Sequence, residues 1–412
     1  MKKTAWLNRN FVFLLLGQIM SLLGNGTLKF ALAMYVLERT GSAAVFAGML
    51  SASMLPTIAL SPFGGVLADR MNRRTLMIAL DALSGLAALM AGAALPLGYD
   101  LPLITVLLVA LSALGAFESP TVQACVPQML SGDALEKGNA AVSQAAAVAS
   151  LATPFLGSVV YTAVGMVPVL YAAAACFLLT ACLEGFIRLP PPQAAALRSA
   201  AMLKADLRAG LRFLCREQPD VLKLLLLAAL ASLFIAGTAV VGFPFLVRTV
   251  LGLSAELYGA AESAMGVAAV LGSLFAGLTA GRLRPVRMVR VFMGVGAALV
   301  LAGGAFLVPL DATGRYLGLT AMFCACQFGC SVFSTCAISA IQRRTPEGLM
   351  GKVMAYVFTL SLCAQPLGQI LYGALFDRCG ARAYWVLVPS GLLVCLAGAL
   401  SRGFLGRLGE RG

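Results

Sequence analysis

The sequence predicts an all-α membrane protein, with twelve transmembrane helices arranged as two pseudo-symmetric six-helix bundles. Three observations carry that prediction. Apolar residues fill 60% of the 412 positions and charged residues only 11%, against roughly 45–50% and 25% in a soluble globular chain. Twelve apolar stretches recur along the chain, each long enough to supply the ~20 residues that cross a ~30 Å hydrocarbon core. A polar segment, residues 188–220, divides them six and six. Apolar surface in such excess cannot hide in one water-facing core, so lipid must solvate much of it.

The stretches before the divide are residues 11–36, 45–68, 76–97, 101–127, 140–164 and 167–187. Those after it are 221–247, 257–280, 289–309, 316–340, 353–376 and 383–400. The first reads as a span and not as a cleavable leader. Met1-Lys2-Lys3 is basic, but the apolar run that follows is full span length and lacks a small-residue cleavage site. The chain therefore divides into an N-terminal six-helix bundle (1–187), a linker (188–220) and a C-terminal six-helix bundle (221–412). Eleven cysteines lie mostly within the spans, with no histidine and no Cys-x-x-Cys pair, so neither a structural zinc nor a cofactor is expected. Cys326 and Cys330 share a helix face and read, with Cys324 and Cys336, as small packing residues.

The net charge of +13 is unevenly placed. If the N-terminus is cytoplasmic, alternate loops place 24 of the 30 basic residues inside, while Arg39, Arg248, Arg315, Arg378 and Arg382 fall outside and Lys29 lies in the membrane. Positive residues resist translocation, so both termini are expected in the cytoplasm. Alternate-loop placement also argues against nucleic acid as the partner of this charge. In the linker, Leu203, Leu207, Leu211 and Leu214 recur at helical spacing beside a stripe of Lys204, Arg208, Arg212 and Arg216. That pattern suits a helix lying on an anionic cytoplasmic leaflet, or a solvated connecting helix.

The two halves resemble each other. A shift of 212 residues lays residues 65–70 (Gly-Val-Leu-Ala-Asp-Arg) on 277–282 (Gly-Leu-Thr-Ala-Gly-Arg) and Pro154 on Pro366. Two parallel repeats of six helices are the arrangement of a rocking transporter. The run Gly65-Val66-Leu67-Ala68-Asp69-Arg70-Met71-Asn72-Arg73-Arg74 resembles the loop signature G-x-L-A-D-R-x-G-R-R of the major facilitator superfamily. Asn72 replaces the second glycine, and asparagine tolerates a left-handed turn. Thr40-Gly41-Ser42 and Ser61-Pro62-Phe63-Gly64 are most similar to the bacterial branch of macrolide and siderophore exporters.

That resemblance implies a multi-pass plasma-membrane protein in a bacterium, monomeric, with a small-molecule substrate and coupling to protons. It implies that Gly65, Asp69, Arg70, Arg73 and Arg74 form a latch between the halves, the arginines binding acidic groups or lipid phosphates. Pro154 with Gly157, and Pro366 with Gly368, look like degenerate forms of the exporter motif G-P-x-x-G-G, suited to helix bending and close approach. The arginine that proton-driven drug exporters carry on helix four has no equivalent between residues 101 and 127.

Ionisable residues inside spans cost ~2.5 kcal/mol or more at the bilayer centre and mark function or pairing. Glu118 lies nine residues before Pro127, roughly 13 Å deep at 1.5 Å per residue, where Pro120 also frees backbone acceptors. It is a candidate proton or substrate carboxylate. Glu262 is a shallower candidate, and Lys29 reads either as an interface anchor or as a cavity residue, with a Lys29–Glu262 pair conceivable. Asp81 and Glu184, near cytoplasmic ends, read as interfacial or latch-supporting. Gln18 and Gln365 are candidate cavity residues among several glutamines and asparagines; the cavity itself is expected to be mostly apolar.

Export of small amphipathic molecules by alternating access leads these readings. A lipid or siderophore carrier of the same fold, or a non-transporting membrane sensor, stands beside it. An ATP-driven pump is disfavoured because no G-x-x-x-x-G-K-[ST] phosphate loop occurs, and an intramembrane hydrolase lacks a histidine to activate a nucleophile.

Overall fold

The computed structural model describes residues 7–189, 208, 211–279 and 287–410. These residues hold twelve long helices in the predicted order. The first six are α1 (Arg9–Thr40), α2 (Ala43–Arg70), α3 (Arg73–Ala94), α4 (Asp100–Met129), α5 (Asp133–Val164) and α6 (Met166–Gly185). Then come α7 (Pro219–Val250), α8 (Ala255–Leu278), α9 (Arg287–Gly304), α10 (Ala312–Arg344), α11 (Glu347–Cys379) and α12 (Tyr384–Glu410). Eleven are long and apolar enough to cross a membrane, and α9 is a shorter apolar helix. A spanning helix satisfies its own backbone polar groups, which is what lipid demands. Of the linker stripe predicted at 203–216, Leu203, Lys204 and Leu207 lie outside the described residues, while Arg208, Leu211, Arg212 and Arg216 are exposed and Leu214 is buried.

Two compact units emerge. One gathers residues 1–39, 52–196 and 255–260, the other 40–51, 197–254 and 261–412. The units therefore differ from a plain split at the linker. The first turns of α2 group with the second unit, and the first turns of α8 with the first.

Within each unit the same pairs of helices pack. In the first, α3 lies on α6 and α4; in the second, α9 lies on α12 and α10. The 212-residue shift carries the first residue of α4 onto the first residue of α10. Glycine sets the closest contacts, because helices in lipid associate through small residues and not through hydrophobic exclusion. A Cβ on Gly85 of α3 would lie 2.8 Å from Leu178 Cγ of α6, and one on Gly296 of α9 would lie 2.5 Å from the Gly391 carbonyl of α12.

Local signals start and stop these helices. Asn72 caps α3, its Oδ1 accepting from the amides of Arg74 (3.1 Å) and Thr75 (3.5 Å). Its φ of −64° is ordinary extended backbone, so the expectation of a left-handed asparagine is corrected: the residue serves as a cap. Asp311 caps α10 through the Gly314 amide at 3.0 Å. Gly165, at φ 78°, makes the turn between α5 and α6 that a side chain would strain. Helices α5 and α11 run unbroken through Pro154 and Pro366, and the neighbouring glycines admit other helices. A Cβ on Gly157 would meet Phe30 of α1 at 3.0 Å, and Gly368 lies against the Leu233 backbone of α7. In α7 the backbone widens to a π-helix over Ala236–Gly242 and Leu246–Val250, either side of Pro244.

These contacts predict a paired test. Gly296→Val should lower the melting temperature of the solubilised protein, with an overpacking cost of ~1–3 kcal/mol. Gly294→Val, two residues away with no atom within 4 Å of its Cβ, should leave melting within a degree or two. Equal losses in both would refute the packing account.

Candidate functional site

On the first unit the site is built from the small residues of α1. Gly17 and Gly24 let that helix press on α6: a Cβ on Gly24 would lie 2.8 Å from Cys176 Cβ, and Thr180 Oγ1 donates to the Gly17 carbonyl at 3.1 Å. Ser21, between them on the same face, is thereby buried. Its hydroxyl stands 3.1 Å from Asp81 Oδ1 of α3 and 3.1 Å from Glu118 Oε1 of α4. Asp81 and Glu184 are nearly solvent-free, with 1% and 3% exposure. Glu184, on α6, lies within hydrogen-bonding reach of Asp81.

The acceptors outnumber the donors. A serine hydroxyl has one hydrogen, and an ionised carboxylate has none. Asp81 Oδ2 and Glu184 Oε2 are buried without a hydrogen-bond partner among the described residues. Asp81 and Glu184 are thus corrected from interfacial residues to members of a buried cluster of three carboxylates around Ser21. The sequence marks them only by helical periodicity, which does not say what the stripe packs against. Asp81 shares a helical stripe with Ser84, Gly85 and Ala88, and Glu184 one with Phe177, Thr180 and Ala181, all of them packed positions.

In front of this cluster opens a cavity of about 790 Å³. Helix α1 lines it with Gln18, Ser21, Asn25 and Lys29, which recur at the three- and four-residue spacing of one helix face. From α4 come Ser112, Glu118, Ser119 and Gln123, from α5 Asn139 and Ser143, and from α2 Thr57. Leu22, Leu111, Val122, Val126 and Val142 fill the spaces between them, so the wall is mixed, with polar and apolar groups sharing it about equally. Lys29 reaches into it, with Glu118 as a charged neighbour. Gln18, Lys29 and Glu118 are thus brought together as cavity residues. Glu262 on α8 and Gln365 on α11 belong to the second unit and do not line this space. A void of about 20 Å³ in the second unit, walled by Phe234, Phe292, Phe323 and Phe333, is a packing seam with room for about one water.

Around the loop after α2, the side chains of Gly65, Asp69 and Arg70 lie outside the described residues. The two following arginines are described. Arg73 Nη1 donates to the Ala124 carbonyl of α4 at 3.0 Å, and Arg74 Nη2 donates to the Gly185 carbonyl at the end of α6. Gly185 is the last residue of α6, and the last carbonyls of a helix lack intrahelical partners and carry partial negative charge. These bonds tie the start of α3 to α4 and α6.

Comparison with known proteins supplies the family. The family model described as Major Facilitator Superfamily matches residues 14–361. Macrolide efflux protein A of Streptococcus pyogenes is 23% identical over 390 residues, covering 92% of each chain. The multidrug efflux pump Tap of Mycolicibacterium fortuitum is 27% identical over 401 residues, covering 94% of this chain and 93% of Tap. Among solved structures, a nucleoside transporter superposes with a TM-score of 0.75 at 12% identity, covering 97% of this chain and all of that one. A bacterial homologue of the iron transporter ferroportin gives 0.72 at 17% identity over 96% of this chain and 99% of its own. Twelve apolar helices, a cavity with charged and polar groups within the first unit and a family match across most of the sequence meet in one conclusion: this chain belongs to the Major Facilitator Superfamily and is a multi-pass membrane transporter.

Proposed function

We propose that this transporter exports small amphipathic organic molecules, of the macrolide and drug-like kind, by alternating access coupled to protons. The observation that carries the reading is the cavity of about 790 Å³ with Glu118 in its wall, joined through Ser21 to buried Asp81. A volume of that order accommodates an organic molecule of drug size. The printed names of the two relatives, macrolide efflux and multidrug efflux, support export as the direction.

The wall selects its cargo by chemistry. Lys29, Gln18 and Asn25 offer donors to ester, ether and sugar oxygens, while Glu118 offers a carboxylate to a protonated amine. A siderophore carrier is the second reading, favoured by the polar groups of this mixed wall. Glu262 and Gln365 are proposed as proton- or cargo-binding residues of the second unit.

The shortage of hydrogens around Ser21 supports proton coupling. Three carboxylates in a site of low dielectric repel one another, and a bound proton supplies the missing donor while removing one charge. Cargo and proton then compete for the same cluster, which is the requirement of an antiporter. Asp69, with Gly65, Arg70, Arg73 and Arg74, is proposed as the latch of the transport cycle, and Pro154 and Pro366 with Gly157 and Gly368 as bending points. The 24 basic residues on alternate loops support cytoplasmic termini, with the linker on anionic lipid. Bacterial plasma membrane and a monomeric state are proposed with them.

Two measurements test this. In cells expressing wild type or Glu118→Gln, the protonophore-sensitive efflux of dyes and macrolides should fall about tenfold in the mutant, ~1.4 kcal/mol on the limiting barrier. Efflux that is insensitive to the protonophore, or equal in the two, sinks the coupling role of Glu118. Asp69→Asn should slow efflux at unchanged membrane abundance; an unchanged rate in vesicles would remove the latch.

A further inference from the structure

The sequence carries a second run with the spacing of the loop after α2. Residues 373–382 read Gly-Ala-Leu-Phe-Asp-Arg-Cys-Gly-Ala-Arg, against Gly-Val-Leu-Ala-Asp-Arg-Met-Asn-Arg-Arg at 65–74. Glycine, leucine, aspartate and two arginines coincide. The 212-residue repeat does not produce this match, since it places the first run on residues 277–286. The second run closes α11 and turns at Gly380, where φ is 50°.

The aspartate of this run has three partners. Asp377 Oδ1 accepts from the Ala43 amide at 2.6 Å, and Oδ2 accepts from Ser42 Oγ at 2.5 Å and from the Ala44 amide at 3.2 Å. These amides open α2, where the helix itself provides no acceptors and its dipole favours an anion. The grip continues along one face of α11. Gly373 leaves room for α2, since a Cβ there would lie 2.5 Å from Ala47 Cβ and 2.8 Å from the Ala43 carbonyl. Further along, Ser51 Oγ donates to Gln369 Oε1 at 3.0 Å and to the Pro366 carbonyl at 3.2 Å. Positions 366, 369, 373 and 377 thus hold α2 from Ser42 to Ser51.

The holding surface is itself braced. Tyr372 and Phe376, beside Asp377, occupy the space where Gly237 and Gly242 of the π-helical stretch of α7 lack side chains. Residues 40–51 accordingly group with the second unit, while α2 from residue 52 groups with the first. One helix is shared between two bodies, and α11 grasps its beginning. Asp377 is exposed on its far side. A released carboxylate there meets no buried surface, so this contact can open at little cost, unlike a buried ion pair.

We infer that Asp377 is a second conformational latch, engaging the start of α2 as the Asp69 loop is proposed to engage its end. The two sites lie about 40 Å apart along a 28-residue helix. The inference rests on the alternating-access reading for its role in transport, and on the hydrogen bonds above for the latch itself.

Hydrogen exchange followed by mass spectrometry separates the two. In purified protein, Asp377→Ala should speed amide exchange at least fivefold throughout residues 42–51, Ser51 included. Asp377→Asn, which keeps an acceptor but not the charge, should give a smaller rise, and it carries the comparison if the alanine variant does not fold. A rise confined to Ala43 and Ala44, or no rise, makes Asp377 a plain helix cap and overturns the latch. Efflux by the asparagine variant should slow severalfold at equal abundance; a wild-type rate overturns the transport role. If wild type exports none of the compounds tried, the exporter reading fails while the exchange result still decides the latch.

Discussion

Ser21 has one hydrogen and two carboxylates to satisfy. That imbalance organises the first unit. Glycines at 17 and 24 bring α1 close enough to α6 for the serine to be buried, and the buried serine joins the carboxylate of α3 to that of α4. A hydroxyl shared in this way transmits the state of one carboxylate to the other, because orienting its hydrogen toward Asp81 withdraws it from Glu118. The cavity wall and the buried cluster are therefore one electrical object. A change at the surface lined by Lys29 and Gln18 is felt two helices away without any backbone movement.

Much of this was legible before any coordinates. Apolar runs of span length gave the helices, since lipid leaves few alternatives to a helix, and the spacing of Gln18, Asn25 and Lys29 follows one face of α1. Glu118 stood out because a charge in an apolar run is costly enough to need a reason. The partners of Glu118 were not legible. Asp81 and Glu184 sit near helix ends in the sequence, where charge is cheap, and only the packing of α3 on α6 reveals that those ends are buried. The polar part of the cavity wall was hard to see for a related reason. Hydroxyl and amide residues are scattered among apolar neighbours in α1, α4 and α5, and they become a continuous wall only when three helices present the same face.

Asn72 and the arginines after it show how a motif can persist while its parts change work. A glycine in that place would make a turn; the asparagine instead receives two amides and begins α3. Arg73 and Arg74 each place one donor on a carbonyl, of α4 and α6 respectively, and so help to fix the frame of the first unit from within. Matching residues to a family pattern identifies the position but not the partner, and the partner decides the energetics. Arginine suits this work because its planar fork loses less freedom per bond formed than a lysine would.

The mixed lining of the cavity bears on the heat of loading. A space of about 790 Å³ has the volume of roughly 25 water molecules at ~30 Å³ each. Cargo that enters must return much of that water to bulk and replace its bonds to glutamine, asparagine and serine. Apolar burial is marked by a large negative heat-capacity change, and burial of polar surface works against it. Loading of this carrier is therefore expected to show a heat-capacity change smaller than that of a wholly apolar pocket of equal size, because the polar part of the wall offsets some of the apolar part.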